Sequence, residues 1–140
     1  GQAADGVRSL ADRFGIEPGM VVMEMGYDDD VDHDLRDALT DRCGELVDED
    51  TDEVGDAVLL WYRDGDGDLF ELLVDALGPL ADNGVVWLLT PKAGREGHVE
   101  PSEISDTAPT AGLQQTSTIN AGKDWSGARL VLRRGTKSKK

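Results

Sequence analysis

Asp64, Asp66 and Asp68 stand at alternate positions, the spacing that opens a calcium-binding loop. The sixth position is Leu69 where such a loop needs glycine, and the twelfth is Asp75 where it needs glutamate. The stretch therefore reads as a strand-to-helix turn with Asp68 as the helix cap. Asp48, Asp50 and Asp52 repeat the spacing with nothing suitable downstream, so no metal site is expected. His33 lies among Asp30, Asp32, Asp34 and Asp37, and reads as an exposed imidazole on a polar helix face. His98 belongs to the loop Gly94-Arg95-Glu96-Gly97-His98 and could touch a ligand or a partner. Neither histidine accompanies a Gly-x-Ser-x-Gly elbow, so hydrolase chemistry has no support. The one cysteine, Cys43, excludes an internal disulfide and a multi-cysteine zinc site, and no basic motif flanks it to activate a thiolate.

Two further groups suggest recognition more than catalysis. Thr90-Pro91-Lys92 with Gly94-Arg95 puts two positive charges past a strand end. They are expected to pair with Asp28 to Asp30, or else to bind a small anion or an acidic peptide. Gln114-Gln115-Thr116-Ser117-Thr118, followed by Asn120, Lys123, Asp124 and Trp125, is polar for a strand pair. It reads as a solvated edge hairpin, with a protein-docking strand anchored by Trp125 as the alternative. Candidate partner-binding residues are therefore Trp125, Lys123, Lys92, Arg95 and His98.

These residues sit in a chain of 140 with 29 acids, 14 Lys or Arg and a formal charge of −15. Such a surface repels phosphate backbones and acidic membranes, so neither nucleic acid nor membrane is an expected partner. Residues 24–75 hold 20 acids and only Arg36, Arg42 and Arg63, while six bases and no acid follow from Arg129 onward. The acidic block reads as a solvated face, or as a docking surface for a basic partner. Its crowding is expected to raise several carboxylate pKa values. No apolar run approaches a membrane span and no signal segment is evident, so a cytoplasmic location is the expectation.

The elements that must carry these groups follow from apolar spacing. Asp5–Phe14 places Val7, Leu10, Ala11 and Phe14 on one helical face. Met20 to Met25 reads as a buried strand, and Val31, Leu35, Ala38 and Leu39 recur at helical spacing up to Gly44. Glu45-Leu46-Val47 could form a very short strand, and Ala57 to Tyr62 a central one. Asp68 to Leu77 is the next helix, and Asn83-Gly84 turns into a strand over Val85 to Thr90. A short helix near 101–108 is checked by Pro109, and Leu113–Ile119 with Ala128–Arg134 forms an antiparallel hairpin. The alternation predicts one α/β domain over residues 1–134, a minimal three-layer Rossmann-like fold with a mainly parallel sheet, and a disordered basic tail at 135–140. Ligands in such sheets bind beyond the carboxyl ends of the strands, here Glu24 to Asp30, Tyr62 to Asp66 and Thr90 to Gly94.

Pro18 to Gly26 is similar to the first motif of class I S-adenosylmethionine-dependent methyltransferases, in which a strand ends in an acid, a glycine-rich loop and a helix. Asp56 to Trp61 resembles that family's fourth strand, and Leu77 to Leu80 with Asn83 to Trp87 its turn and fifth strand. The resemblance implies Glu24, Gly26 and Asp48 as cofactor contacts. More closely, the chain resembles a small actinobacterial family of unknown function, family 3052 of the unknown-function series. The residues that carry this likeness are Trp87 to Lys92, Gly112 to Thr118 and Gly122 to Trp125, and it implies no established activity.

The departures from the methyltransferase pattern weigh more. The family loop repeats glycine where this chain has Asp28 and Asp30, so side chains fill the space and carboxylates face the ligand's own carboxylate. Too few residues separate the second helix from the Ala57 strand for the helix–strand–helix that normally walls the adenine. The expected function is a non-enzymatic interaction or regulatory domain on a degenerate methyltransferase-like scaffold, with no cofactor and an unidentified protein partner. The alternative is a methyltransferase or a binder of a related nucleotide-like ligand.

Overall fold

The computed structural model describes residues 11–48 and 53–132. The expected start of the first helix, the loop residues Glu49 to Asp52 and the basic tail lie outside the described residues. A helical turn over residues 11–13 closes with Gly15, and Ile16 N–H bonds back to the Ala11 carbonyl at 3.1 Å. Strand β1 follows at Val22–Met25, then helix α1 at His33–Cys43, and the short strand β2 at Leu46–Val47. Strand β3 covers Gly55–Trp61, helix α2 Leu69–Leu77 and strand β4 Leu80–Pro91. Helix α3 at Pro101–Thr110 leads into the strands β5 at Leu113–Asn120 and β6 at Trp125–Leu132.

The six strands form one sheet in the order β2-β1-β3-β4-β6-β5. The β2–β1, β1–β3 and β3–β4 pairs are parallel, while β6 runs antiparallel to both β4 and β5. The C-terminal hairpin thus inserts its second strand beside β4 and leaves β5 at the edge. Helices α2 and α3 cover one face, where Leu69, Leu73, Ile104 and Ala108 pack on Val58, Leu60, Val86 and Leu88. Helix α1 and the residues around Phe14 cover the other, with Leu35 and Leu39 against Leu59, Trp61, Trp87 and Trp125. The central strands are buried on both faces, which is why they read as continuous apolar runs.

Caps fix the helix starts. Asp68 accepts from Phe70 N at 3.0 Å, as its position suggested, and Asp32 caps α1 by accepting from Leu35 N at 2.8 Å. Two local details differ from the sequence reading. Asn83-Gly84 does not precede β4 but lies within it: Leu80 pairs with Gly55 and Val85 with Ala57, so residues 81–84 bulge opposite Asp56. Helix α3 also runs through Pro109 to Thr110, because a proline in a last turn removes just one backbone bond.

All three tryptophans are buried with their indole N–H groups bonded. Trp87 Nε1 donates to the Phe14 carbonyl at 3.1 Å, Trp61 Nε1 to Glu24 at 2.9 Å, and Trp125 Nε1 to the Asp30 carbonyl at 3.1 Å. Trp125 is 3% exposed and stands edge-on to Trp61, with ring centroids 4.9 Å apart. Removing it takes away a ring pair, a hydrogen bond and the attachment of the hairpin to the β1 loop. Trp125→Ala is expected to cost about 3 kcal/mol and to lower Tm by about 10 °C. Tyr27→Ala, at a half-exposed side chain, should move Tm by about 2 °C or less. Thermal unfolding of both variants checks this, and an unchanged Tm for Trp125→Ala would place that ring outside the core.

Candidate functional site

The carboxyl ends of β1, β3 and β4 open into a cleft of about 530 Å³ bordered by Asp28, Asp29, Asp64, Asp66 and Glu96, with Arg63 and Arg95. Parallel strands bring these loops to one edge, the place where ligands enter sheets of this type. Glu24 lies on β1 and Gly26 just after it, neither among the residues that line the cleft, and Asp48 follows the last residue of the neighbouring β2, exposed to solvent.

Glu24 is engaged on both oxygens. Arg36 of α1 makes a two-pronged contact, Nε to Oε2 at 2.6 Å and Nη2 to Oε1 at 2.8 Å, and Trp61 Nε1 adds a third donor. The carboxylate is only 9% exposed, and it raises the pKa of Arg36. Arg36 is covered in turn by the Tyr27 ring, 4.7 Å from the guanidinium carbon to the centroid. Gly26 has φ 80°, and a Cβ there would collide with the Trp61 carbonyl. Glycine is therefore required at 26 by the neighbouring strand, whatever the cleft holds.

Arg63, the second residue after β3, fills the space above. It grips Asp30 through Nη2–Oδ1 at 2.6 Å and Nε–Oδ2 at 2.9 Å. Its Nη1 donates to Asp66 Oδ2 at 3.0 Å and to the Gly26 carbonyl at 3.1 Å. The guanidinium lies 5.2 Å from the centre of the Trp125 ring and its side chain is 14% exposed. Arg63 holds the Asp30 carboxyl below its ordinary value, with its hydrogen bonds the largest cause. At Asp30, then, pairing overrides the expected upward push of crowded acids. Burial, by contrast, pushes the Tyr62 phenol and the Cys43 thiol upward, so Cys43 carries no activated thiolate.

The hairpin turn closes the flank. Asp32 accepts from Lys123 N at 3.1 Å, and a Cβ at Gly122 would run into the Asp32 carboxylate. Arg95 pairs with Asp124 at 3.4 Å and Lys92 N donates to the Asp124 carbonyl at 2.9 Å. Arg95 thus pairs with the hairpin turn and Lys92 meets it through its backbone N–H, and the expected pairing of Arg95 with Asp28 to Asp30 is corrected: the arginine that grips Asp30 is Arg63, just past the adjacent strand. His98 turns inward, its Nδ1 at 2.9 Å from the Pro91 carbonyl and its Nε2 at 3.8 Å from Glu100. Trp125 is held in the core, which corrects its reading as an exposed docking anchor. His33 stays on the surface, edge-on to Tyr27 at 6.4 Å. Asp66 also accepts from Arg63 N at 3.0 Å and Asp68 caps α2, so the aspartate repeat is spent on a turn.

Arg36, Arg63 and Trp61 were not among the residues singled out from sequence. The signal available was their scarcity: Arg36, Arg42 and Arg63 are the only cations among 20 acids in residues 24–75, so each was bound to take partners. Arg42 does so too, with Asp12 at 3.1 Å and the Ile16 carbonyl at 2.9 Å.

This sheet order, with a reversed strand between β4 and the edge, defines an α/β scaffold of the S-adenosylmethionine methyltransferase type. It superposes on a SAM dependent methyltransferase from Aquifex aeolicus with a TM-score of 0.59 at 12% identity, covering 91% of this chain and 89% of that one. An O-methyltransferase of neocarzinostatin biosynthesis, NcsB1, in complex with S-adenosylmethionine and a naphthoic acid, aligns with a TM-score of 0.63 at 13% identity, over 82% of this chain and 49% of that one. At such identities the likeness is one of fold. Within that fold the chain belongs to the family described as "Protein of unknown function (DUF3052)", matched over residues 11–134. Relatives include the uncharacterized protein Rv2239c of Mycobacterium tuberculosis and Mb2263c of Mycobacterium bovis, each 55% identical over 130 residues, or 92% of this chain and 82% of theirs. Among the described residues, no helix is long and apolar enough to cross a membrane.

The Arg63–Asp30 pair makes stability depend on pH with a definite sign. Asp30's pKa is lowered from 3.8 in the fold, so near and below that value the folded chain binds fewer protons than the unfolded chain. The stabilisation is complete above 3.8 and is lost as pH falls through the depressed value. Urea midpoints of the wild type and Arg63→Gln are expected to differ at pH ~6 and to draw together below pH ~3.5. A gap of constant size down to pH ~2.5 would show that the pair contributes nothing through Asp30's charge.

Proposed function

We propose that this chain is a non-enzymatic interaction or regulatory domain on a methyltransferase-type scaffold. The observation that carries the reading is the state of Glu24: its two oxygens are taken by Arg36 and Trp61 inside the protein. To accept from a ligand, Glu24 would have to release the two-pronged guanidinium and the indole N–H that already occupy both its oxygens. Arg63, committed to Asp30 and Asp66, lines the cleft together with Asp28 and Asp29, whose carboxylates would face that of S-adenosylmethionine. A protein partner is assigned to the surface formed by Lys92, Arg95, His98 and Lys123. What supports this is the way the β4 loop and the hairpin turn are tied together through Asp124.

The alternative is a methyltransferase, or a binder of a nucleotide-like ligand, that uses Glu24, Gly26 and Asp48. It is favoured by the fold alone. Calorimetric titration with S-adenosylmethionine separates the two. No saturable heat is expected up to ~1 mM, which corresponds to binding weaker than about −4 kcal/mol. A Kd in the low micromolar range, about −8 kcal/mol, would overturn the non-enzymatic reading and make the cleft a working cofactor site.

A further inference from the structure

We infer that β5 is a self-association strand, on which a second copy of this chain pairs its own β5 antiparallel across a twofold axis. Strand β5 ends the sheet, so among the described residues one edge of its eight-residue backbone, Leu113–Asn120, has no neighbour. Exposed edges of this length are commonly protected by charge, by brevity or by a bulge. The opposite edge shows the first two devices: β2 has two residues, flanked by Glu45 and Asp48. On β5 charge is missing altogether. Thr107 to Gly122 is the longest run in the chain without Asp, Glu, Lys or Arg, in a protein that is 31% charged. It coincides with the unpaired strand and the end of the helix beside it.

The sequence of this edge favours a second copy over a foreign strand. A twofold axis sets like against like, so any charge near the axis would meet itself. Gln114, Gln115, Thr116, Ser117 and Thr118 all carry groups that both donate and accept, and such a strand is complementary to itself. Gln114, Thr116, Ser117 and Thr118 are exposed. Alongside runs an open groove of about 540 Å³, lined by Ser105 and Pro109 of α3 and by Leu113 to Ser117, with room for side chains of the arriving strand. The bulge at Thr116, where Gln115 pairs with Leu130 and Ser117 with Arg129, confines regular pairing to Ser117–Asn120. Charge placement removes the main obstacle to self-association at −15. The acidic loops follow β1, β2 and β3, and in the sheet β5 is separated from β3 by β4 and β6, which is about 14 Å at the usual strand spacing. The inference does not depend on whether the cleft binds a ligand.

Sedimentation equilibrium of the full chain from ~1 to ~500 µM at moderate salt tests it. The expected result is a rise from the 15.1 kDa of one chain toward twice that mass, accompanied by loss of deuterium uptake at Ser117–Asn120 amides. Thr118→Lys, which puts a charge on an exposed position of the strand, should abolish the rise and, at ~1 µM where single chains predominate, move Tm by about 2 °C or less. Thr118→Ser should keep it. A wild type that remains at 15.1 kDa throughout overturns the inference and leaves β5 as an edge for some other strand. A dimer that survives Thr118→Lys with no protection on β5 also overturns it.

Discussion

The Arg63 guanidinium is the contact on which the carboxyl edge of the sheet depends. It extends from just past β3 and takes Asp30 from the β1 loop, Asp66 from its own turn and the Gly26 carbonyl, while lying over Trp125 of the hairpin. Three segments, the β1 loop, the turn after β3 and the hairpin, thereby share one cation. Only a planar fork with several fixed donors can do this, because a lysine ammonium would satisfy one carboxylate and could not lie flat on the ring. The Asp30 backbone is pinned a second time by the Trp125 indole, so the β1 loop is held from both sides.

Beneath that contact, Glu24, Arg36 and Trp61 form a second one that fastens α1 to the sheet. Both lie where the fold type would admit a ligand. At this edge an acid on β1 binds an arginine of its own chain, and the loop that follows is clasped by another. A fold of this kind supports many activities and guarantees none, since activity resides in the site grafted on it. The family model matches residues 11–134, and the mycobacterial relatives are 55% identical over 130 residues.

Charge is polarised along the sheet. The acidic loops gather round β1, β2 and β3, and the strand at the other edge carries no charge at all. Of the three arginines of the acidic block, Arg36 and Arg63 hold acids of the block and Arg42 reaches Asp12 and the Ile16 carbonyl, which leaves most of the block's described carboxylates facing water. One side of the molecule is therefore a strongly negative field and the other a neutral strand edge, and these surfaces suit different kinds of contact.

The order of elements was legible in the sequence because buried strands and amphipathic helices write their periods locally: Val58 to Trp61 is continuous apolar, and Leu35, Ala38 and Leu39 recur on one helical face. Asp68 declared its cap by standing just before Leu69, and β2 falls within the Glu45–Val47 stretch, one residue shorter than that reading. The aspartates replacing glycine in the β1 loop already argued against a ligand there. What sequence did not disclose was pairing at a distance. Asp30 and Arg63 are 33 positions apart, Glu24 and Trp61 37, and Trp125 and Asp30 95. Nothing local tells a carboxylate which of the few arginines will reach it, or tells a tryptophan at a turn whether it faces water or the core. Those choices were made by the sheet order, which sets β1 beside β3 and folds the hairpin back over both, because side-chain contacts across strands depend on register and adjacency that no single segment encodes.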